Sequence, residues 1–292
     1  MINQFFRISF YILFTGVFFY SCINKSSEEN EDEFEDEVEN EDEDEDEDEE
    51  KEQIVLKVGS FNTGHFNMGN LGGYQGKNVT GTLSLWQEWI SQQKCDILFL
   101  QEWNVFFDKD SVYLAQKELL DPYYTNIVWG DLNEWIHNGI CTNLPIQGKQ
   151  VKRFNGAYYA VVTFTDFFGK QVALVSVHLN WNVNFHELDL TQFIEFLGEF
   201  DTFIAGGDIN TTKEGQLRFK KAGFNIANGG DYGFICTSPG NTSRADLDSK
   251  CCLDNIITSP NITIMHPYSS TTHVNDQDHL PILAEVVIKK PS

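Results

Sequence analysis

The stretch T-F-I-A-G-G-D-I-N at 202–210 carries the pattern on which the fold turns. Its apolar run, Thr202–Ala205, reads as a short buried strand that stops at two glycines, an acid and an amide. Gly206–Gly207 is expected to let the chain bend and to admit a close ligand. Asp208 and Asn210 lie two apart, so an extended backbone would point both side chains the same way. The pattern recurs outward in both directions. K-V-G-S-F-N ends at Asn62, D-I-L-F-L-Q-E at Glu102, and V-A-L-V-S-V-H-L-N at His178 and Asn180. Asp254 in C-L-D-N-I-I, and Asp278–His279 before the strand P-I-L-A-E-V, complete the set. In α/β sheets ligands gather at strand ends, where polar side chains need not enter the core.

Between these ends, strands and helices alternate. Periodicity predicts strands at Ile54–Phe61, Asp96–Leu100, Leu253–Ser259 and Ile282–Ile288. It predicts helices at Thr80–Lys94 and Leu188–Phe200, the second with Phe193, Phe196, Leu197 and Phe200 on its apolar face. Ala157–Thr165 and Gln171–Leu179 form a hairpin with a turn through Asp166–Lys170. Hairpins beside strand–helix–strand units call for mixed sheets, and residues 53–292 contain no linker, which argues for one α/β domain.

The chain has 292 residues and a formal charge of −24, unevenly spread. Residues 28–52 hold 20 acidic side chains and one lysine, a net of −19, whereas residues 53–292 carry only −7. Self-repulsion and a near absence of apolar side chains leave residues 22–52 as a disordered acidic spacer. No basic stripe of the kind that drives nonspecific nucleic-acid binding is visible.

Arg7 precedes thirteen apolar-type residues, Ile8 to Tyr20, too few to span a bilayer comfortably and suited to a signal peptide over residues 1–21. Ser21–Cys22 resembles a bacterial lipobox, which would make Cys22 the lipidated N-terminus. The acids behind it resemble the surface-export signal of Bacteroidetes lipoproteins. The expected location is the cell envelope, lipid-anchored to the outer membrane and exposed on the surface, or else secreted. Five further cysteines permit at most two disulfides; Cys236 paired with Cys251 or Cys252 is the expected bridge.

The strand-end residues comprise carboxylates, amides and two histidines. Hard oxygen ligands in small number suit Mg²⁺ or Mn²⁺. Histidines beside carboxylates suit proton transfer near neutral pH. Such a set serves phosphate-ester hydrolysis, in which a metal offsets phosphoryl charge while a base deprotonates water. GxxxxGK[ST], GxSxG, HExxH and GxGxxG are all absent, which removes the commonest rivals.

The ordered series S-F-N (60–62), L-Q-E (100–102), H-L-N-W (178–181), G-D-I-N (207–210), L-D-N-I (253–256) and D-H-L-P (278–281) resembles the endonuclease/exonuclease/phosphatase superfamily. N-G-I-C-T-N-L-P-I (138–146) resembles that family's asparagine-containing strand. The resemblance runs from about residue 56 to 288 and implies the deoxyribonuclease I-like fold, a four-layer α/β/β/α sandwich with two mixed sheets flanked by helices. It implies Glu102 as principal Mg²⁺ ligand (Mn²⁺ or Ca²⁺ being alternatives), with Asn62 and Asp278 completing the shell. It implies His279 as the base that activates water, with Asp254 as its partner. His178 would stabilise phosphoryl oxygens or protonate the leaving group, and Asp208 and Asn210 would hold nucleophile, metal or phosphate. Asn138 is a weaker phosphate-pocket candidate. Asn143 stands where the family commonly has arginine, which removes one cationic phosphate contact. The carboxylate that partners the first histidine in the deoxyribonuclease I branch has no clear counterpart, Asp131 and Glu134 being candidates.

The leading expectation is a Mg²⁺-dependent phosphodiesterase acting as a nuclease, monomeric, with nucleic acid as substrate. The alternatives are a sphingomyelinase-like or inositol-phosphate phosphatase with the same site, and a catalytically silent surface binding protein. The domain charge of −7 counts against long-range attraction to duplex DNA.

Overall fold

Strand β2, Ile97–Asn104, shows how the layers are built. Its side chains alternate: Ile97 and Phe99 enter one hydrophobic cluster, Leu98 and Leu100 another. A strand apolar on both faces must be covered on both. The computed structural model meets this demand with two sheets packed face to face and helices outside them. It describes residues 52–64, 79–104, 115–130, 136–154, 158–239, 251–272 and 278–291. The expected signal peptide, Cys22 and the acidic spacer up to residue 51 lie outside the described residues, as do Asp131 and Glu134. The chain divides into two units, 1–48 and 49–292, and all the described residues belong to the second.

The described elements are β1 (Gln53–Asn62), α1 (Val79–Gln93), β2, α2 (Ala115–Leu119), β3 (Asn126–Trp129), β4 (Ile136–Thr142), β5 (Gln147–Arg153), β6 (Tyr159–Phe167) and β7 (Lys170–His178). They continue with α3 (Val183–Leu197), β8 (Phe203–Asp208), α4 (Lys213–Lys221), β9 (Asn225–Ile226), β10 (Asp254–Thr258), β11 (Ile262–Ser269) and β12 (Ile282–Lys289). The first sheet runs β11-β12-β1-β2-β4-β3, the second β5-β6-β7-β8-β10-β9. Each is mixed: β1–β2 and β7–β8 are parallel and joined across α1 and α3, and the other pairs are antiparallel. Leu56, Val58, Phe99, Leu174, Ile204 and Ile256 fill the space between the sheets. Trp86, Trp89 and Ile90 of α1 cover the outer face of the first sheet. Leu190, Phe193 and Phe196 of α3, with Phe219 of α4, cover the second. The expected four-layer sandwich is therefore the observed one.

Three local expectations differ from the observed chain. Helix α3 begins five residues before Leu188, because Asn182 caps it by accepting the Asn184 N–H at 3.0 Å; an Asn-rich run reads as loop until its capping is seen. The β6–β7 hairpin closes through two residues, Phe168 and Gly169, at φ +56° and +73°, rather than five. That is the left-handed pair a tight hairpin demands. Gly206 and Gly207 serve packing. A Cβ at Gly206 would strike the Phe99 ring of the facing sheet, and one at Gly207 would strike the Val177 carbonyl. The anticipated bridge forms between Cys236 and Cys251, while Cys95, Cys141 and Cys252 are buried outside it.

Candidate active site

Register assembles the site. In the second sheet His178 pairs with Asp208 across β7–β8, and Asp208 pairs with Asp254 across β8–β10. Three neighbouring strands thus set a histidine and two aspartates side by side. Ser176 and Ile256, each two residues from a site residue on its strand, face the other sheet, so by strand alternation His178 and Asp254 face it too. From the first sheet, Asn62 ends β1 beside Gln101 of β2.

Glu102 needs a different device. Strand alternation would send it to the outer face with Leu98 and Leu100. A bulge between Leu100 and Trp103, with Glu102 at φ +54°, turns its carboxylate into the gap between the sheets and restores Trp103 to the outer core. Positive φ at a non-glycine residue is strained, and such strain collects at functional sites.

Asp208 Oδ2 is the hub. Asn62 Nδ2 donates to it at 2.9 Å and to Glu102 Oε1 at 3.2 Å. Asn210 Nδ2 donates to it at 3.2 Å, and His178 Nε2 and His279 Nε2 stand 3.5 and 3.6 Å away. His178 Nε2 is also 3.7 Å from Glu102 Oε1. His279 Nδ1 lies 2.8 Å from Asp254 Oδ2, and both residues are buried.

Asn210 joins the cluster by an unexpected route. The strand ends at Asp208, and Asn210 sits at φ +53° rather than on extended backbone. Its N–H donates to Asp208 Oδ1 at 2.9 Å, an Asx turn that folds its amide back onto the hub and onto the Leu179 carbonyl.

Burial and neighbouring charge compete in the electrostatics, and burial prevails at Asp208. It pushes Asp208 up to about 6; Asp254 adds to the rise, while His279, His178 and the Asn62 hydrogen bond oppose it. Burial alone would lower His279, but Asp254, Asp208, the hydrogen bond to Asp254 and Asp278 together hold it well above the usual imidazole range. The pair is thus built to take up a proton at His279 Nε2 while Nδ1 stays bonded to Asp254.

Two expected residues stand apart from this cluster. Asp278 has an exposed side chain, with Oδ1 where a side chain at Gly64 would begin. Buried Asn138 ties the sheets together, its Nδ2 donating to the Tyr159 carbonyl at 2.7 Å and its N–H to the Tyr159 hydroxyl at 3.0 Å. Of the flanking tryptophans, Trp103 is core, packed against Trp129 at 5.1 Å, whereas Trp181 stands 62% exposed at the rim.

Sequence reading missed Tyr158. Its ring meets that of His178 edge-on at 5.3 Å. Burial and the nearby Glu102 raise its hydroxyl, which keeps it a protonated donor, and Trp181 hydrogen-bonds to it. Nothing in A-Y-Y-A marks the first tyrosine over the second; only its ring contact with His178 does.

The donor set fits a divalent cation. One carboxylate oxygen each from Glu102 and Asp208 and a ring nitrogen of His178 lie within 4.8 Å of one another. A second such group is Asp208, Asp254 and His279, in which Asp254 Oδ1 is buried without a hydrogen-bond partner. Hard carboxylates crowded in a buried place are what a cation would relieve.

Comparison with solved structures agrees with this fold. The chain superimposes on truncated Caenorhabditis elegans TDP2 with a TM-score of 0.59 at 18% identity, covering 80% of this chain and 97% of that one. D. rerio TDP2 complexed with a single-stranded DNA product gives 0.59 at 13% identity, over 80% and 98%. An endonuclease/exonuclease/phosphatase from Beutenbergia cavernae gives 0.60 at 14% identity, over 80% and 72%. No protein-family model matches the chain, and no curated protein matches it. The fold is accordingly the deoxyribonuclease I-like sandwich that these structures share.

Proposed function

We propose that the protein is a metal-dependent phosphoesterase that hydrolyses phosphodiester bonds, with nucleic acid as its substrate. The observation that carries this reading is the buried His279–Asp254 pair, aimed at the same Asp208 oxygen that His178, Asn62 and Asn210 approach. A histidine fixed through Nδ1 to a carboxylate presents Nε2 to the pocket as a proton acceptor. His279 would take the proton of the attacking water, and Asp254 would hold the imidazole and stabilise its charged form. His178 would donate to the phosphoryl oxygens or leaving group. Asp208 and Asn210 would orient the nucleophile.

Glu102 and Asn62 would hold Mg²⁺, with Mn²⁺ or Ca²⁺ as alternatives, and Asp208 is close enough to join them; Asp278, apart from the cluster, would support the shell from its edge. The ion, when bound, would offset the charge on the phosphoryl oxygens. The complex of a TDP2 with a single-stranded DNA product supports nucleic acid as the substrate class.

One observation favours a second reading, a lipid phosphodiester. Trp181, Val183, Phe185 and Leu188 are exposed within eight residues of one another, directly after His178, in a segment whose only charged residue is Glu187. An apolar, cation-free rim suits a zwitterionic lipid surface better than a polyphosphate. Incubating the protein with Mg²⁺ and, separately, single-stranded DNA, RNA, plasmid, sphingomyelin and inositol phosphates separates the readings. Turnover of the nucleic acids supports the first reading and of sphingomyelin the second; turnover of none removes both.

Location is part of the proposal. Lipidation of Cys22 and a spacer of roughly thirty self-repelling residues would hold a monomeric catalytic domain tens of ångströms from the outer membrane. Cys22→Ser should release the protein from membranes, and unchanged partitioning would remove the anchor.

A further inference from the structure

His279 lies outside every described strand, since β12 begins three residues later at Ile282. Its place relative to Asp254, 25 residues earlier in the chain, therefore needs another cause. The segment Cys236–Ser238 supplies one. Thr237 Oγ1 accepts the N–H of Asp254 at 3.0 Å, and the Thr237 carbonyl accepts the N–H of Leu280 at 2.6 Å. The Ser238 hydroxyl donates to the Asp278 carbonyl at 2.8 Å. Both neighbours of His279 and the backbone of its carboxylate partner are thus bonded to two consecutive residues.

Those two residues are themselves held. Thr237 and Ser238 are buried, and both N–H groups donate to the Cys251 carbonyl, at 2.7 and 2.9 Å. The Cys236–Cys251 disulfide closes the same contact covalently. A buried residue with every backbone polar group engaged has little freedom, so the geometry it imposes on its partners is fixed.

We propose that Thr237, assisted by Ser238 and the disulfide, is a positioning residue that sets the His279–Asp254 hydrogen bond. This rests on the phosphoesterase reading. Neither residue touches the reacting atoms. They act by fixing the backbone of Asp254 against that of Asp278–Leu280, so that His279 Nδ1 faces Asp254 Oδ2 and Nε2 faces the pocket. Residues outside the reacting set that orient it typically contribute a factor of about ten to a hundred.

The test compares Thr237→Val, which keeps the shape and loses the acceptor, with Thr237→Ser, which keeps the acceptor. The first readout is the low-field proton resonance of the His279 Nδ1–H, identified by its absence in His279→Gln. The wild type and Thr237→Ser should show it, and Thr237→Val should lose it or move it. The second readout is turnover: kcat of Thr237→Val should fall about tenfold to a hundredfold with KM within about twofold, and Thr237→Ser should restore it. An unchanged resonance in Thr237→Val would overturn the proposal, as would its loss in both variants. So would a Thr237→Val chain that fails to fold while Thr237→Ser is native, because Thr237 would then serve the fold rather than the pair. The resonance needs no substrate, so absence of turnover in the wild type would count against the phosphoesterase reading alone.

Discussion

His279 Nδ1 and Asp254 Oδ2 are 2.8 Å apart, buried together at the end of β10, and His279 Nε2 points on to Asp208 Oδ2 at 3.6 Å. One imidazole thus links two carboxylates in unlike settings: Asp254 fixes the ring, and Asp208 is the hub of the polar cluster.

His279→Ala should lower kcat by about a hundredfold to ten-thousandfold, the usual contribution of a positioned base. Asp254→Asn should do nearly as much, because its amide would present a donor to Nδ1 and disfavour the tautomer that leaves Nε2 free to accept. Steady-state kinetics on a phosphodiester, with circular dichroism to establish the fold, tests both. Wild-type turnover from either variant would place the base elsewhere.

The pH dependence of stability follows from two raised pKa values. Burial pushes Asp208 to about 6 from an ordinary 3.8, so the folded protein keeps a proton that the unfolded chain has released. Its contribution to stability is present below about pH 4 and is lost as pH rises through 6. For His279, opposed by burial but raised by Asp254 and Asp208, the contribution is present below 6.5 and is lost as pH rises through its higher folded value. Protein stripped of divalent ions should therefore lose stability from Asp208 between about pH 4 and about pH 6, and from His279 only above 6.5. Mg²⁺ competes with those protons, so its stabilisation should be greater at the higher pH. Thermal melts with and without Mg²⁺ at the two ends of the Asp208 range measure this; equal shifts would show that the ion does not bind beside Asp208.

Trp181→Ala should leave the melting temperature unchanged, since the side chain is 62% exposed. If the substrate is single-stranded nucleic acid and a base stacks on this ring, KM should rise by about fivefold to a hundredfold while kcat changes little. An unaltered KM for every nucleic acid tried, with weaker binding to sphingomyelin vesicles, would turn the rim toward lipid.

Gly206→Ala should destabilise the fold by about 1–3 kcal/mol, because the new methyl group has no room between Phe99 and Ser60 of the facing sheet. Urea unfolding reads this directly. A neutral effect would mean that the two sheets separate more easily at this point than their packing indicates.

The sequence carried its chemistry in a legible form because polar residues after apolar strands have few reasons to be there. Asn62, Glu102, His178, Asp208 and Asn210 were visible as strand-end groups and Asp254 and His279 as polar residues beside later strands, and the family resemblance of their ordered motifs already implied the sandwich. The buried faces of β2 and β7 were legible for the same reason, as near-continuous apolar runs. The short strands β3, β5 and β9 were not, because they are exposed or too brief for a pattern to stand out.

What tertiary structure alone decided is how those groups face one another. Asn62 and Asp208 are 146 residues apart and share a hydrogen bond of 2.9 Å, a relation no local pattern encodes. Glu102 turns inward only because β2 bulges against β4, and alternation by itself would have aimed it into the outer core. Asn210 reaches the hub through a left-handed turn, Tyr158 enters only through its ring contact with His178, and Thr237 only through the contacts of a disulfide-closed segment. Residue types and their order are local properties, and they were enough to propose a class of chemistry. Register, bulges and long-range hydrogen bonds are set by packing the two sheets together, which is why the geometry of the site became readable only in the folded chain.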